Sequence, residues 1–181
     1  LVKDKREKEA INLLTAGLSR NPENKSLLYA RAMIAERQGN FDKMENDLRA
    51  IISQDPENAS ALNALGYSMV LHTKRFQEAY DLIYRAYLLQ PNSAAIVDSM
   101  GWVLFKRGEL KQALYYIKKA MTMMPDPEIA AHLGEIYWQM GDRDLARKAW
   151  AQGLKKSPNH KNIITTMYRL NASAINPESI K

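Results

Sequence analysis

Five prolines, Pro22, Pro56, Pro91, Pro125 and Pro158, recur along the chain at spacings of 34, 35, 34 and 33 residues. Three glycines, Gly66, Gly101 and Gly134, keep nearly the same period, at 35 and 33 residues. A fixed period of this length marks an internal repeat, which constrains the fold more than any single motif does. Proline lacks an amide N–H and is excluded from helix interiors, so each of these prolines marks a turn. Short polar residues follow them, as in "PEN" and "PNH". A second break falls between successive prolines: "QGNF" at 38–41, "TKRF" at 73–76, "RGEL" at 107–110 and "MGDR" at 140–143. Three of the four carry glycine, a common residue just past a helix end. Each period therefore reads helix, tight turn, helix, proline turn.

Gly66, Gly101 and Gly134 lie inside the first helix of their pairs, in "NALGY", "DSMGW" and "AHLGE". Glycine there costs about 1 kcal/mol relative to alanine. Close approach of two helices can offset that cost. Ala79, Ala113 and Ala146 recur in the second helices, each followed four residues later by Ile83, Ile117 or Trp150 on the same face. The glycines are thus expected to meet these small alanines. Trp102, next to Gly101, is expected to point elsewhere, into the inner curve of a superhelix.

These segments carry a resemblance. "ALGYSM" with "EAYDLIYRAYLLQP", "SMGWVL" with "QALYYIKKAMTMMP", and "HLGEIY" with "LARKAWAQGLKKSP" are similar to tetratricopeptide repeats (TPR). The resemblance implies an all-α superhelix, an α-solenoid of antiparallel helix pairs, with ten helices and no strand. It places a half repeat over 3–20, full repeats over 25–58, 59–93, 94–126 and 127–160, and a capping helix over 161–171. In that last helix Tyr168 takes the glycine slot. One array over 1–171 and a flexible tail over 172–181 are expected.

Chemistry is harder to find. The chain has 181 residues and no cysteine, which excludes disulfides, thiol nucleophiles and thiolate metal sites. Its net charge is +6, but Lys and Arg interleave with Asp and Glu, as on a solvated surface rather than a nucleic-acid footprint. No apolar run approaches the length of a transmembrane helix. No nucleophile elbow, phosphate loop or catalytic carboxylate pair is apparent. His132 and Glu135 have ligand-like spacing, yet no further ligand stands out. The expectation is a non-enzymatic chain with no catalytic residue, metal or cofactor.

The informative surface is the inner groove, lined in this fold by first-helix residues that do not pack within their pair. The repeat register assigns to it Tyr29, Met33, Asn63, Tyr67, Asp98, Trp102, Phe105, Lys106, Glu135 and Trp138. Aromatic and methionine side chains in one patch mark a site for a protein or peptide partner. Some TPR grooves hold a peptide C-terminus with a Lys/Asn clamp. The corresponding slots here carry Tyr29, Met33, Asn63, Ala64, Ala95 and Ser99, a departure that argues against such capture.

"ALNALGY", "DSMGWV" and "PEIAAHLGEIYWQMGD" together resemble TPR lipoproteins of the Gram-negative outer membrane. Members act as periplasmic adaptors for a carboxyl-terminal processing protease. The resemblance implies an envelope scaffold on the periplasmic side of the outer membrane, attached through a lipid anchor that lies outside this chain. A cytoplasmic peptide-binding co-chaperone and the recognition arm of a larger enzyme are the alternatives. The N-terminal helix resembles a second helix without its first. Its Ala10, Ile11, Leu13, Leu14, Gly17 and Leu18 are expected to leave an apolar strip that supports weak self-association.

Overall fold

The computed structural model describes residues 2–172, with side chains from residue 6 onward. Beyond Ala172, the tail expected over 172–181 lies outside the described residues. Among the described residues there are ten helices and no strand. They are α1 (Val2–Arg20), α2 (Lys25–Arg37), α3 (Phe41–Gln54), α4 (Ala59–His72), α5 (Phe76–Leu89), α6 (Ala94–Lys106), α7 (Leu110–Met123), α8 (Pro127–Met140), α9 (Arg143–Lys156) and α10 (Lys161–Arg169). None of them is long and apolar enough to cross a membrane.

Local chemistry explains the helix ends. Asn24, Asn40, Asn58 and Asp126 cap α2, α3, α4 and α8, accepting from the backbone N–H of Leu27, Lys43, Ala61 and Glu128. Such caps satisfy amides that the first helical turn leaves unpaired. The five periodic prolines all fall between helices. At the other end of α8, Gly141 takes φ 91°, a left-handed conformation that terminates the helix. The turn after α4 has no glycine. There Thr73 closes the helix, its hydroxyl donating to the Met69 carbonyl at 2.8 Å.

The chain forms two compact units, Leu1–Pro91 and Asn92–Lys181. In the first, α2 pairs with α3 and α4 with α5, while α3 also packs on α4 and α1 on α2. Leu28, Ala32, Leu48, Ile51, Leu62, Leu65 and Ile83 form its core. Within it lies a buried ion pair. Arg31 donates from Nε to Asp47 Oδ2 at 2.7 Å and from Nη2 to Oδ1 at 2.8 Å, joining α2 to α3. On α1, Leu18 is buried and Gly17 lies against Leu27, whereas Leu13 is 75% exposed.

In the second unit, α6 pairs with α7 and α8 with α9. Helix α7 packs on α8, and α10 packs against α8 and α9. Ile96, Met100, Leu104, Ile117, Ile136, Trp150 and Ile163 fill its core. Tyr168 on α10 is 81% exposed, so no described residue packs closely over it.

The glycines inside α4, α6 and α8 do mark close approaches; Gly66 meets Ala79 as expected, a Cβ there standing 2.9 Å from the Ala79 carbonyl oxygen, but at all three the nearest neighbour is a large side chain. A Cβ on Gly66 would stand 2.6 Å from Ile83 Cγ1, and one on Gly101 would stand 2.5 Å from Ile117 Cγ1. On Gly134 it would run into the Trp150 ring. The space therefore holds the large residue four positions after each alanine, not the alanine side chain. Fully burying an isoleucine is worth roughly 1.5–3 kcal/mol. That outweighs the cost of about 1 kcal/mol for an interior glycine, so the exchange favours the fold.

Candidate functional site

Four of the sequence-assigned residues, Asp98, Trp102, Phe105 and Lys106, come from α6 at spacings of four, three and one residues, which sets them along one side of the helix. Helix α8 supplies their main neighbour. His132 Nδ1 lies 2.9 and 3.0 Å from the two carboxylate oxygens of Asp98. The His132 ring stacks on Trp102 at 4.0 Å between centroids, and Trp102 stacks in turn on Phe105 at 5.0 Å. Lys106 Nζ sits 4.5 Å from the Trp102 centroid and 5.4 Å from that of Phe105.

Helix α10 closes one side of the face through two α8 carboxylates. Arg169 Nη2 donates to Glu135 Oε1 at 2.7 Å. Asn162 Nδ2 donates to Glu128 Oε1 at 2.6 Å, and His160 Nε2 lies 3.4 Å from Glu128 Oε2.

The charges follow from this packing. Burial disfavours the His132 imidazolium, but the Asp98 carboxylate, its hydrogen bond, and the charges of Glu128 and Glu135 outweigh burial and raise the ring's pKa. Burial pushes the Lys106 ammonium below the usual lysine range. Glu135 opposes that shift and Arg169 adds to it.

Trp102 is only 5% exposed, and Asp98 and Glu135 are also buried. This corrects the picture of Trp102 as a ring standing open on an inner curve. His132 covers it from α8 and Phe105 from its own helix, so Phe105 and Lys106, both half-buried, form the accessible edge. Trp138 belongs to a different contact set. Its ring lies 5.6 Å from Trp150, packs against the core around Ala146 and Ile163, and carries the Arg143 guanidinium 3.9 Å above it.

In the first unit, Tyr29 lines an open depression of about 460 Å³ together with Lys25, Ser26, Ala30, Ile51, Asn58 and Ser60. Burial, and then the charge of Glu36, raise the pKa of its phenol. Met33, Asn63 and Tyr67 are half-buried and are not part of that lining. The side-chain oxygen of Asn63 is buried without a hydrogen bond among the described residues.

The Asp98–His132 pair is the feature that sequence reasoning missed, since it paired His132 with Glu135 instead. A signal was present: the two residues lie 34 positions apart, one repeat period, and both sit on first helices.

Residues 8–43 and 127–160 match models of the tetratricopeptide repeat family. A TPR repeat-containing protein of Pseudomonas aeruginosa is 46% identical over 132 residues, which is 73% of this chain and 22% of that protein. A TPR repeat-containing protein of Methanocaldococcus jannaschii is 28% identical over 127 residues, again 22% of its own length. The chain thus spans only 22% of the length of each of these two relatives. Among solved structures, a thermophilic TPR protein of Thermus thermophilus matches with a TM-score of 0.76 at 21% identity, covering 95% of this chain and 92% of that one. At that identity the likeness speaks for the fold alone. The proline period, the paired helices and the two repeat matches agree, and the chain is a tetratricopeptide-repeat protein.

Proposed function

We propose that this protein is a non-enzymatic adaptor whose α6–α8 face receives a segment of a partner protein. The TPR fold supports a protein–protein interaction scaffold. One observation carries the choice of face: the half-open Phe105–Lys106 edge laid against the packed Trp102–His132 stack. Aromatic rings beside a cation favour association with another chain. The edge holds no nucleophile with an adjacent base. Tyr29, Met33, Asn63 and Tyr67 belong to the same proposal as contacts on the first unit, and Asp98, Glu135 and Trp138 as the residues that hold the second in shape.

The finer reading is a cell-envelope adaptor that engages a carboxyl-terminal processing protease and its substrates on the periplasmic side of the outer membrane. The motifs "ALNALGY", "DSMGWV" and "PEIAAHLGEIYWQMGD" support it through their resemblance to such lipoproteins. The test mixes the purified chain with the carboxyl-terminal processing protease of the same organism. Sedimentation should show a complex, and cleavage of an envelope substrate should accelerate. A chain that ignores the protease but binds another envelope protein would keep the scaffold and lose the protease.

A further inference from the structure

On the face built from α6, α8 and α10, the carboxylates are already engaged. Asp98 holds His132 at 2.9 Å, Glu135 holds Arg169 at 2.7 Å, and Glu128 is held by Asn162 and His160 at 2.6 and 3.4 Å. Lys106 differs. Its ammonium rests on the rings of Trp102 and Phe105, with no carboxylate at ion-pair distance among the described residues. A second donor in the cluster also lacks an acceptor: Trp102 Nε1 is buried without a hydrogen-bond partner. Buried donors usually find partners, so the unmet indole N–H beside a half-buried ammonium describes a place that lacks an acceptor. Burial also destabilises the Lys106 charge, and a nearby anion would restore it.

We propose that the Lys106–Phe105 edge selects partner segments that present an aspartate or glutamate side chain beside an apolar residue. The inference rests on the reading of this face as a partner surface, and it adds the chemistry that the surface selects. The carboxylate supplies the missing counter-charge to Lys106, and its apolar neighbour lies on the Phe105 ring. The rings exclude water on one side of the ammonium, which strengthens the pair relative to one in open solvent. Basic segments are disfavoured, because they would bring a second cation to a desolvated one.

The probe is a set of short peptides, acetylated and amidated, in matched pairs that differ only by Glu against Gln next to leucine or phenylalanine. Fluorescence polarisation with the whole chain should favour the acidic member by about tenfold, as loss of one interfacial charge pair commonly costs. Lys106→Met should erase the preference, Lys106→Arg should keep it, and Lys106→Glu should move it to peptides carrying lysine instead. The unaltered chain supplies a check that needs no variant: added salt should weaken the acidic peptides and leave the amide controls unchanged. Equal binding of both members would overturn the proposal. So would a preference that survives Lys106→Met, a requirement for a free C-terminal carboxylate, or retention of no peptide. A protease complex that forms but is indifferent to Lys106→Met would leave the adaptor reading standing and remove only this inference.

Discussion

Gly101 and Ile117 are packed so closely that a Cβ on the glycine would stand 2.5 Å from Ile117 Cγ1 and 3.0 Å from its backbone nitrogen. Ile117 is fully buried. Gly101→Ala recovers about 1 kcal/mol of helix propensity, but overpacking costs typically 1–3 kcal/mol. The net effect should be destabilising, and Gly101→Leu should be worse. In urea titrations Gly101→Ala combined with Ile117→Ala should cost less than the two single changes summed, because removing Cγ1 and Cδ1 of Ile117 makes room for the new methyl. Strict additivity of the two changes would show that the two positions do not share one contact.

The same contact shows what the sequence makes legible. Period and punctuation mark where helices stop, and an interior glycine marks where the pair closes. They do not say which side chain enters the gap, because Ala113 and Ile117 share one face of α7 and either could. The face turned toward the next pair is harder still. Asp98, Trp102 and His132 meet through side-chain chemistry that varies from repeat to repeat, so the common pattern is silent about it. Trp102 read as open for that reason: the ring that covers it comes from a different helix pair.

Trp102→Ala should behave as a core deletion. Its indole is buried and stacked on both His132 and Phe105, and removal of a buried tryptophan costs about 3–5 kcal/mol. Trp102→Phe should cost less, since a ring remains in the stack. A denaturation midpoint unmoved by Trp102→Ala would mean that the stack contributes little to the unit.

The Asp98–His132 pair makes stability depend on pH in a defined direction. The folded pKa of His132 lies above its ordinary value of 6.5, so the folded state holds the proton more tightly than the unfolded chain. That contribution is fully present below the unfolded pKa and is lost as pH rises through the folded one. The thermal midpoint of the unaltered protein, relative to that of His132→Gln, should therefore fall as pH rises above the ordinary histidine range. Asp98→Asn should flatten the difference by removing the charge that raises the pKa. Parallel midpoint curves for all three proteins would rule this linkage out.

Arg31 and Asp47 make two hydrogen bonds across α2 and α3 with both groups buried. Asp47→Ala leaves a guanidinium in the interior without its counter-ion, a change that costs about 3–5 kcal/mol. Replacing both partners, as in Arg31→Met with Asp47→Leu, should recover most of that loss. Chemical denaturation of the three variants separates the cases. A double variant as unstable as Asp47→Ala would mean that the pair's geometry, not its charge, holds the two helices.

Helix α10 is nine residues long, too short to persist without tertiary contacts. Ile163 anchors it in the core, its Cδ1 reaching the space left by Gly153. Glu128 holds the first turn of α10 through Asn162, and Glu135 holds its last, accepting from Arg169 at 2.7 Å. Arg169 is more than half exposed, so solvent screens the pair and its worth is about 1 kcal/mol or less. Glu135→Gln should therefore leave the global midpoint nearly unchanged while loosening the last turn of α10. Hydrogen exchange should speed up at Met167, Tyr168 and Arg169 and stay slow at Ile163. The opposite pattern, with uniform protection along α10 in Glu135→Gln, would leave Glu135 no part in holding the helix.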